Sequence, residues 1–470
     1  MFQAVVNIFK IPELRNRVFF TLFMIVVYRI GFWIPLIGVD QSRLKEHAQQ
    51  AAEASTGFGS ILDYTSTFSG GSFSQSTIFG LGIMPYITAS IIFQILQTVM
   101  PGLQDLKKEG ASGQQKVTEW TRYTTVFMCI IQGLMWLSYM RSTNLIEQHF
   151  LQPGSIVIFY LAGIVGLTAG SVFLMWMGEQ IDKYGIGNGI SIILTAGIVS
   201  RMPHAIQWVV SNTDISTQAS AVKPLGLTGV LFLVAAFVFV VAGAIVITVA
   251  QRRIPIQQAK HTRGRKQVGG MRHYLPLRVN HAGVMPIVFA STLLVFPAAI
   301  LGYLAGWAGN SDSWWAYTIS FMKTNFTMGE FPYVLAEIAL IYFFSYFWTT
   351  IVFSPEDMAK QLRDAGSFIP GLRPGPRTAE YLQRVIGRVT FVGAGFLAVI
   401  AVIPSIVAHQ MDIPFFVSSF LGGTSLLIVV SVALDVMQRI EANLLMRNYA
   451  GFLGAGEQGR PAPRLRNPRR

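Results

Sequence analysis

The most concentrated set of ionisable side chains lies between Gln251 and His281, where eight lysines and arginines occur without one aspartate or glutamate. Uncompensated cations at this density favour a docking surface for an anionic partner, such as RNA, an acidic protein or lipid headgroups. A second interpretation stays open, in which these cations orient the chain in a membrane and contact lipid. A later stretch, Ser354 to Arg388, is predicted to form a helix followed by a rigid Pro/Gly turn that presents Arg373 at its tip.

Side chains suited to catalysis are scarce. The sequence offers no Ser/His/Asp set, paired carboxylates, metal-ligand spacing or Walker motif, and Cys129 is its single cysteine. The glycine-rich stretch Gly185 to Ile190 resembles a phosphate cradle, but no predicted strand precedes it and no P-loop lysine follows. Close helix packing through glycine is the better interpretation. We therefore expect no enzyme, no cofactor and no metal.

The composition is that of a polytopic membrane protein. Of 470 residues, 52% are hydrophobic and 13% charged, and the mean hydropathy is +0.48. Apolar runs of about 20 residues, long enough to cross a bilayer, predict ten spans: 18–37, 78–100, 120–140, 155–177, 186–202, 226–250, 283–303, 332–353, 389–408 and 415–434.

Charge predicts the orientation of these spans. The segments on the side of the N-terminus carry 29 lysines and arginines, the opposite segments carry 6, and Arg29 lies inside the first span. The positive-inside rule then places both termini in the cytoplasm, and with them the loop from Pro101 to Glu119. The start of the chain lacks the pattern of a cleavable signal peptide.

Ionisable residues inside the spans are almost confined to Arg29 and Glu337. We expect snorkelling or an interhelical contact for both side chains. Because ion-coupled carriers place such groups at midplane, their scarcity counts against a secondary transporter of a small solute. That alternative stays open, since carbonyl and hydroxyl groups can also bind sodium.

The stretch from Ile61 to Met100 organises the rest of the chain. A short segment, Phe58 to Phe68, has one apolar helical face and is followed by the pair Gly70-Gly71 and a full span. This pattern favours a re-entrant piece beside a transmembrane helix, where protein or water must satisfy the irregular backbone. A plain surface helix is an equally good interpretation of Phe58 to Phe68.

The beginning of that span recurs later in the chain. Gly82 to Ser90, GIMPYITAS, matches Gly283 to Ser291, GVMPIVFAS, at five of nine positions, and two more exchange Ile for Val. Paired Gly/Pro-interrupted apolar segments in two halves indicate a pathway between repeats. Coincidence between two apolar stretches remains possible.

Several long motifs resemble the SecY family, the channel-forming subunits of the bacterial protein translocase. They cover the chain from the first span to the last: FSGG, IFGLGIMPYITASII, LMWMGEQI, GIGNGISIIL, QRRIPIQQAK, LPLRVNHAGVMP, FIPGLRPGPRTAEYL and GGTSLLIVVSVALD. The resemblance implies an all-α polytopic membrane protein, with ten transmembrane helices in two inverted five-helix halves around a central pore and a re-entrant plug helix. The halves would be residues 1–202 and 226–435, joined by an external hinge connection at 203–225 and followed by a cytoplasmic tail at 436–470.

The resemblance also implies the functional residues. An aliphatic pore ring would consist of Ile83, Ile87, Ile190, Leu194, Val288 and Ile428. A plug at about 60–72 would include Ile61, Leu62, Tyr64, Phe68, Gly70 and Gly71. A lateral gate, opening to lipid between spans two and three on one side and seven and eight on the other, would carry Pro85, Ser90, Pro286 and Ser291. Unfolded secretory polypeptides would pass through the ring, and transmembrane segments would leave sideways.

The partners implied are two small membrane subunits, SecE and SecG, the motor ATPase SecA, the ribosome, signal-sequence-bearing polypeptides and membrane lipids. The loops at 251–281 and 354–388 would dock the motor and the ribosome, with contacts from Arg263, Arg265, Lys266 and Arg373. A homodimer is possible. The location implied is the bacterial inner membrane, with both termini cytoplasmic.

Overall fold

The chain is an assembly of long helices with one small β-sheet region. The computed structural model describes residues 11–44, 76–152, 154–213, 226–258, 261–263, 266–268, 272–280, 283–308, 314–326, 330–411, 413, 417, 420 and 423–454.

The first part of the chain contains the helices that carry spans one to five. They are α1 (Pro12–Gly31), α2 (Met84–Val99), α3 (Pro101–Lys108), α4 (Ala111–Ser142), α5 (Ser155–Tyr184) and α6 (Gly189–Asn212), with a 3₁₀ turn at Gln148–Leu151.

The second part contains spans six to ten and the strands. Its helices are α7 (Leu227–Val249), α8 (Met285–Ala308), α9 (Trp314–Asn325), α10 (Phe331–Val352), α11 (Pro355–Asp364), α12 (Pro376–Met411) and α13 (Thr424–Gly454). The strands are β1 (Gln251–Gln258), β2 (His261–Arg263), β3 (Lys266–Val268), β4 (Arg272–Arg278) and β5 (Ser367–Phe368).

Each predicted span falls on a helix, in the order α1, α2, α4, α5, α6, α7, α8, α10, α12 and α13. Within the described residues, six of them are long and apolar enough to cross a membrane, namely α4, α5, α6, α7, α10 with its continuation into α11, and α12. Helix α2 is shorter, since its 16 residues rise about 24 Å. Many of these helices expose large apolar side chains, as α7 does at Leu231 and Phe239, which suits contact with lipid rather than water.

Helix packing repeats between the two parts of the chain. Five helices of the first part, α1, α2, α4, α5 and α6, correspond in order to α7, α8, α10, α12 and α13 of the second. The pairs α2 with α4, α4 with α5, α5 with α6, α1 with α5 and α1 with α6 are in contact. Their counterparts α8 with α10, α10 with α12, α12 with α13, α7 with α12 and α7 with α13 are in contact too. The two parts meet where α6 packs against α13.

Three features of the structure were not predicted from the sequence. The segment from Pro101 to Glu119 is not a loop, because α3 occupies its first part and α4 already begins at Ala111. The helix that carries span five extends beyond the predicted span, since α6 continues to Asn212 with Pro203 inside it. The basic stretch after α7 forms strands, of which β1 pairs antiparallel with β4 and at its end with β5, while β2 pairs with β3.

Candidate functional site

The two copies of the repeated motif have the same backbone conformation. Gly82 has φ +57° and Gly283 has φ +61°, a left-handed conformation that glycine adopts without steric cost. A helix starts two residues later in each copy, at Met84 and at Met285. The sequence repeat is therefore also a structural repeat.

Hydrogen bonds at the two helix starts correspond as well. The Ile87 N–H donates to the Ile83 carbonyl over 3.1 Å, and the Val288 N–H donates to the Val284 carbonyl over 3.2 Å. Each helix has proline as its second residue, where the missing N–H costs no intrahelical bond. The same turn thus aims the first residues of α2 and α8.

The six predicted ring residues lie in one apolar cluster. Five of them are at most 7% exposed and belong to the same buried core, and the sixth, Ile190, is partly buried and packs against it. The five are Ile83, Ile87, Leu194, Val288 and Ile428. They come from both parts of the chain, and the buried core that contains them also draws its other residues from both parts.

Hydroxyl groups near the cluster bond along their own helices. Thr88 donates to the Met84 carbonyl over 3.0 Å, and Ser291 and Thr292 donate to the Val288 carbonyl over 3.0 and 2.7 Å. Each of these hydroxyl groups therefore donates its hydrogen bond to a backbone carbonyl of its own helix.

The predicted gate residues lie along α2 and α8. Pro85, Pro286 and Ser291 are buried and Ser90 is half-buried. The Ser90 hydroxyl accepts a 3.1 Å hydrogen bond from Nε2 of Gln94. The core that holds the ring continues along both helices, through Ile91 on α2 and through Ile287, Phe289 and Ala290 on α8.

Helix α6 approaches α5 closely at the glycine-rich turn. A Cβ atom on Gly189 would lie 2.0 Å from the Gly178 carbonyl oxygen, which confirms close packing as the role of this glycine. The Gly189 N–H donates to Oδ1 of Asp182 over 2.7 Å, and Asn188 caps the helix by accepting from the Ser191 N–H. This turn fixes the start of α6, which carries Ile190 and Leu194.

An ion pair that the sequence analysis missed joins α4 to α5. Arg122 donates from Nε and Nη2 to the two carboxylate oxygens of Glu179, over 2.9 and 2.7 Å. Two parallel bonds fix the relative orientation of the side chains as well as their distance. The partners are 57 residues apart, so no local sequence pattern indicates the pair.

The two ionisable residues singled out inside the spans differ in environment. Arg29 is exposed, and its guanidinium carbon lies 5.5 Å from the centre of the Phe32 ring. Glu337 is only 4% exposed, and its Oε2 has no hydrogen-bond partner within the described part of the chain. The interhelical contact expected for Glu337 is therefore not made by this oxygen.

The segment predicted as the plug lies within 45–75, outside the described residues, and so do Ile61, Leu62, Tyr64, Phe68, Gly70 and Gly71. The chain on its two sides is joined by hydrogen bonds. The Leu36 N–H donates to the Ser76 carbonyl over 2.9 Å, and the Ile78 N–H donates to the Ile34 carbonyl over 3.1 Å. The described chain just before and just after this segment is therefore held together near the C-terminal end of α1.

The chain before this segment is also attached to α4. Val39 forms a bridge with Ile146, and the Asp40 N–H donates to the Leu145 carbonyl over 3.0 Å. The Ser42 hydroxyl donates to the Asp40 carboxylate, which lowers the pKa of that group below its usual value.

The two basic loops share a small core. Ile254 and Leu277 of the β1–β4 pair are buried with Ile369, Leu382 and Ile386. Arg373 is exposed in the turn after β5, where Gly371 and Gly375 have φ +85° and +123°. Arg263 pairs with Lys266 across the β2–β3 ladder, while Arg265 lies outside the described residues.

No cluster of three or more His, Cys, Asp or Glu side chains that could hold a metal ion occurs among the residues whose structure is described. Cys129 is a free, buried thiol.

Comparison with known proteins identifies a single family. The SecY family model matches residues 77–437. The chain is 39% identical over 465 residues to the protein translocase subunit SecY of Chlamydia trachomatis, covering 97% of this chain and 99% of the relative. It is 38% identical to the SecY subunit of Thermotoga maritima, with 97% and 99% covered. It is 41% identical to that of Halalkalibacterium halodurans, with 96% and 100% covered.

Solved structures agree at the level of the fold. A protein-conducting channel superposes with a TM-score of 0.58 at 17% identity, covering 91% of this chain and 92% of that one. Sec61 from a canine ribosome–channel complex superposes with a TM-score of 0.54 at 16% identity, with the same coverage.

Proposed function

The chain belongs to the SecY family and is a protein-conducting channel of a protein translocase, and we propose that a ring of six aliphatic side chains seals its pore. The ring consists of Ile83, Ile87, Ile190, Leu194, Val288 and Ile428. The observation that carries this proposal is that all six belong to or pack against one buried cluster that draws its residues from both parts of the chain. An apolar ring closes around a threaded polypeptide and excludes ions when the channel is idle.

The lateral gate is proposed to open between α2 and α4 on one side and α8 and α10 on the other. Pro85, Ser90, Pro286 and Ser291 lie on the gate helices α2 and α8. An apolar signal segment that enters between these helices replaces contacts of the buried core with its own. Burial of about 15 apolar residues at about 25 cal/mol per Å² supplies several kcal/mol, which shifts an equilibrium between closed and open states.

The plug is proposed to be the segment at about 60–72, with its two glycines, Gly70 and Gly71, acting as a hinge. Support comes from its attachment: the described chain on both sides of 45–75 is held together next to α1. A segment with fixed ends can leave the ring and return to it without changing its attachment.

The two halves are proposed to be residues 1–202 and 226–435, joined by 203–225 and followed by the tail at 436–470. The repeated helix contacts support this division. Both termini are placed in the cytoplasm of a bacterium, with the spans in the inner membrane, because 29 of the lysines and arginines lie on the side of the N-terminus.

The basic loops at 251–281 and 354–388 are proposed to dock SecA and the ribosome, and SecE and SecG to complete the channel. The shared core of the two loops supports a common surface that carries Arg263, Arg265, Lys266 and Arg373. Two partners of this size cannot use one surface at the same time, so they alternate.

Photocrosslinking tests the gate assignment. A photoreactive residue at Ser90 or Ser291 is expected to crosslink to the signal segment of a stalled precursor. The same residue at Leu231, which is 67% exposed on α7, serves as a lipid-facing control. Equal crosslinking from all three positions, or crosslinking from Leu231 alone, contradicts the assignment.

A further inference from the structure

A groove opens between α10 and α12 at the end of these helices that adjoins the basic loops. It is a shallow, open depression of about 480 Å³, lined by Tyr346 of α10 and by residues of α12 that include Arg384, Arg388, Phe391 and Val392. Arg388 directly precedes the apolar run of the ninth predicted span. The groove therefore lies where the transmembrane part of α12 begins.

The walls of the groove change from basic to apolar toward the membrane. Arg388 is exposed and makes no salt bridge within the described part of the chain. One turn further along α12, Phe391 and Val392 are 58% and 63% exposed. Arg384, one turn before Arg388, donates to the Glu380 carboxylate over 3.0 Å, so Arg388 provides the charge that is not neutralised.

Gly387 lines the groove, and close packing against a neighbour does not explain why this residue is glycine. A Cβ atom added there would meet nothing within 4 Å, although glycine inside a helix is less stable than alanine. The Gly387 carbonyl accepts a 3.3 Å hydrogen bond from the Tyr346 hydroxyl, which ties α10 to α12 at this point. A glycine that costs helix stability and touches no neighbour keeps space free for something else.

We propose that this groove binds the headgroup of an anionic phospholipid, with the Arg388 guanidinium on the phosphate and the acyl chains along Phe391 and Val392. A guanidinium binds phosphate oxygens through two parallel hydrogen bonds, and basic pockets between transmembrane helices suit such headgroups. The apolar wall continues into a membrane span, which favours a lipid over a soluble protein. The proposed orientation of the chain in the membrane decides only which leaflet supplies the lipid. The binding site itself does not depend on that orientation.

Native mass spectrometry tests the proposal on the full chain, purified in detergent with the membrane subunits that accompany it. Phosphatidylglycerol and phosphatidylcholine are titrated separately as probes. The unmodified protein is expected to retain one phosphatidylglycerol more tightly than phosphatidylcholine. Arg388→Gln is expected to weaken that retention about fivefold, the equivalent of about 1 kcal/mol per basic residue at an anionic surface.

Gly387→Leu is expected to fill the groove and abolish the tight site, with the thermal midpoint of the protein unchanged or raised. Gly387→Ala is a second variant, used if Gly387→Leu misfolds. Its smaller side chain is expected to weaken phosphatidylglycerol retention less than leucine does. Arg377→Gln is the matched control, since Arg377 is an exposed arginine on the same face of α12, three turns from Arg388 and outside the groove.

Three results overturn the proposal. The first is unchanged phosphatidylglycerol retention in both Arg388→Gln and Gly387→Leu. The second is an equal loss in Arg377→Gln, which indicates general attraction between charges rather than a site. The third is unchanged lipid binding together with lost binding of a ribosome or motor protein, which assigns the groove to protein docking. A channel that still translocates protein but fails these lipid tests overturns this inference and leaves the proposed function intact.

Discussion

Single aliphatic side chains carry the proposed seal. The ring combines residues at helix starts, such as Ile83 and Ile190, with residues further inside a helix, such as Leu194. A side chain shortened here is expected to leave a gap that water can enter, which weakens an apolar barrier to ions. The sealing property therefore depends on side-chain volume at a few positions.

Replacing Ile83 and Ile190 together with glycine is expected to make the idle channel leak ions, since hydration of the ring removes the dewetting barrier. Conductance of channels reconstituted in planar bilayers measures the effect. Val199→Gly, a change of similar size at a 41% exposed position on α6, is the control and is expected to remain tight. An idle conductance equal to that of the unmodified channel contradicts the assignment of the ring.

The ring positions need bulky side chains, whereas position 189 needs a residue without a side chain. Gly189→Ala places a Cβ atom 2.0 Å from the Gly178 carbonyl oxygen, so α5 and α6 must separate. Overpacking of this kind costs about 1–3 kcal/mol. We expect a lower thermal midpoint in detergent, measured by the loss of monodisperse protein on heating.

Gly102→Ala is the matched control for this change, because a Cβ atom at Gly102 meets nothing within 4 Å. It is expected to leave the midpoint unchanged or raise it slightly. Equal midpoints for the two variants would mean that α5 and α6 tolerate the added methyl group, and that the close approach does not position α6.

At the scale of elements, the helices follow directly from the sequence and the strands do not. Ten apolar runs are enough to predict ten helices, because hydrocarbon leaves the backbone few alternatives. The strands lie in water, where the charges between Gln251 and His281 hide the alternating apolar residues. The local signal was also weak: Ile254 and Ile256 on β1 and Leu275 and Leu277 on β4 are two residues apart, but a proline stands between the members of each pair, and proline inside a run argues against a strand.

The site shows the same division between local and long-range information. The ring and gate residues could be named because the family motifs carry them, and the repeated turn at Gly82 and Gly283 could be found by comparing the chain with itself. The Arg122–Glu179 pair could not, since it depends on how α4 and α5 pack. The unpartnered Glu337 oxygen likewise follows only from the three-dimensional arrangement.

The strand pair is expected to act as the rigid base of the docking surface. Leu277→Ser removes a fully buried side chain from the core shared by the two loops, a loss of at least about 2 kcal/mol. We expect weaker binding of SecA and of ribosomes in a co-sedimentation assay, with the ion seal unchanged. Tyr274→Ser, at a 63% exposed position of the same strand, is expected to bind normally; full binding by Leu277→Ser would contradict the role of this core.

At the scale of the whole molecule, the proposed pore lies between the two parts of the chain, whose helix contacts repeat. Each repeat contributes a helix that starts with the same Gly-x-Met-Pro turn, and these helices, α2 and α8, both supply ring and gate residues. The contact of α6 with α13 joins the two parts.

The most direct test of the account is a disulfide crosslink between the ring and a translocating chain. The channel carries Cys129→Ser and one new cysteine, Ile83→Cys, and a stalled secretory precursor carries a single cysteine in its mature part. The account predicts a crosslink that requires both precursor and motor, and none from Val199→Cys, which is exposed on α6. Active translocation without a crosslink at position 83 would contradict it, because the polypeptide would then cross the membrane elsewhere.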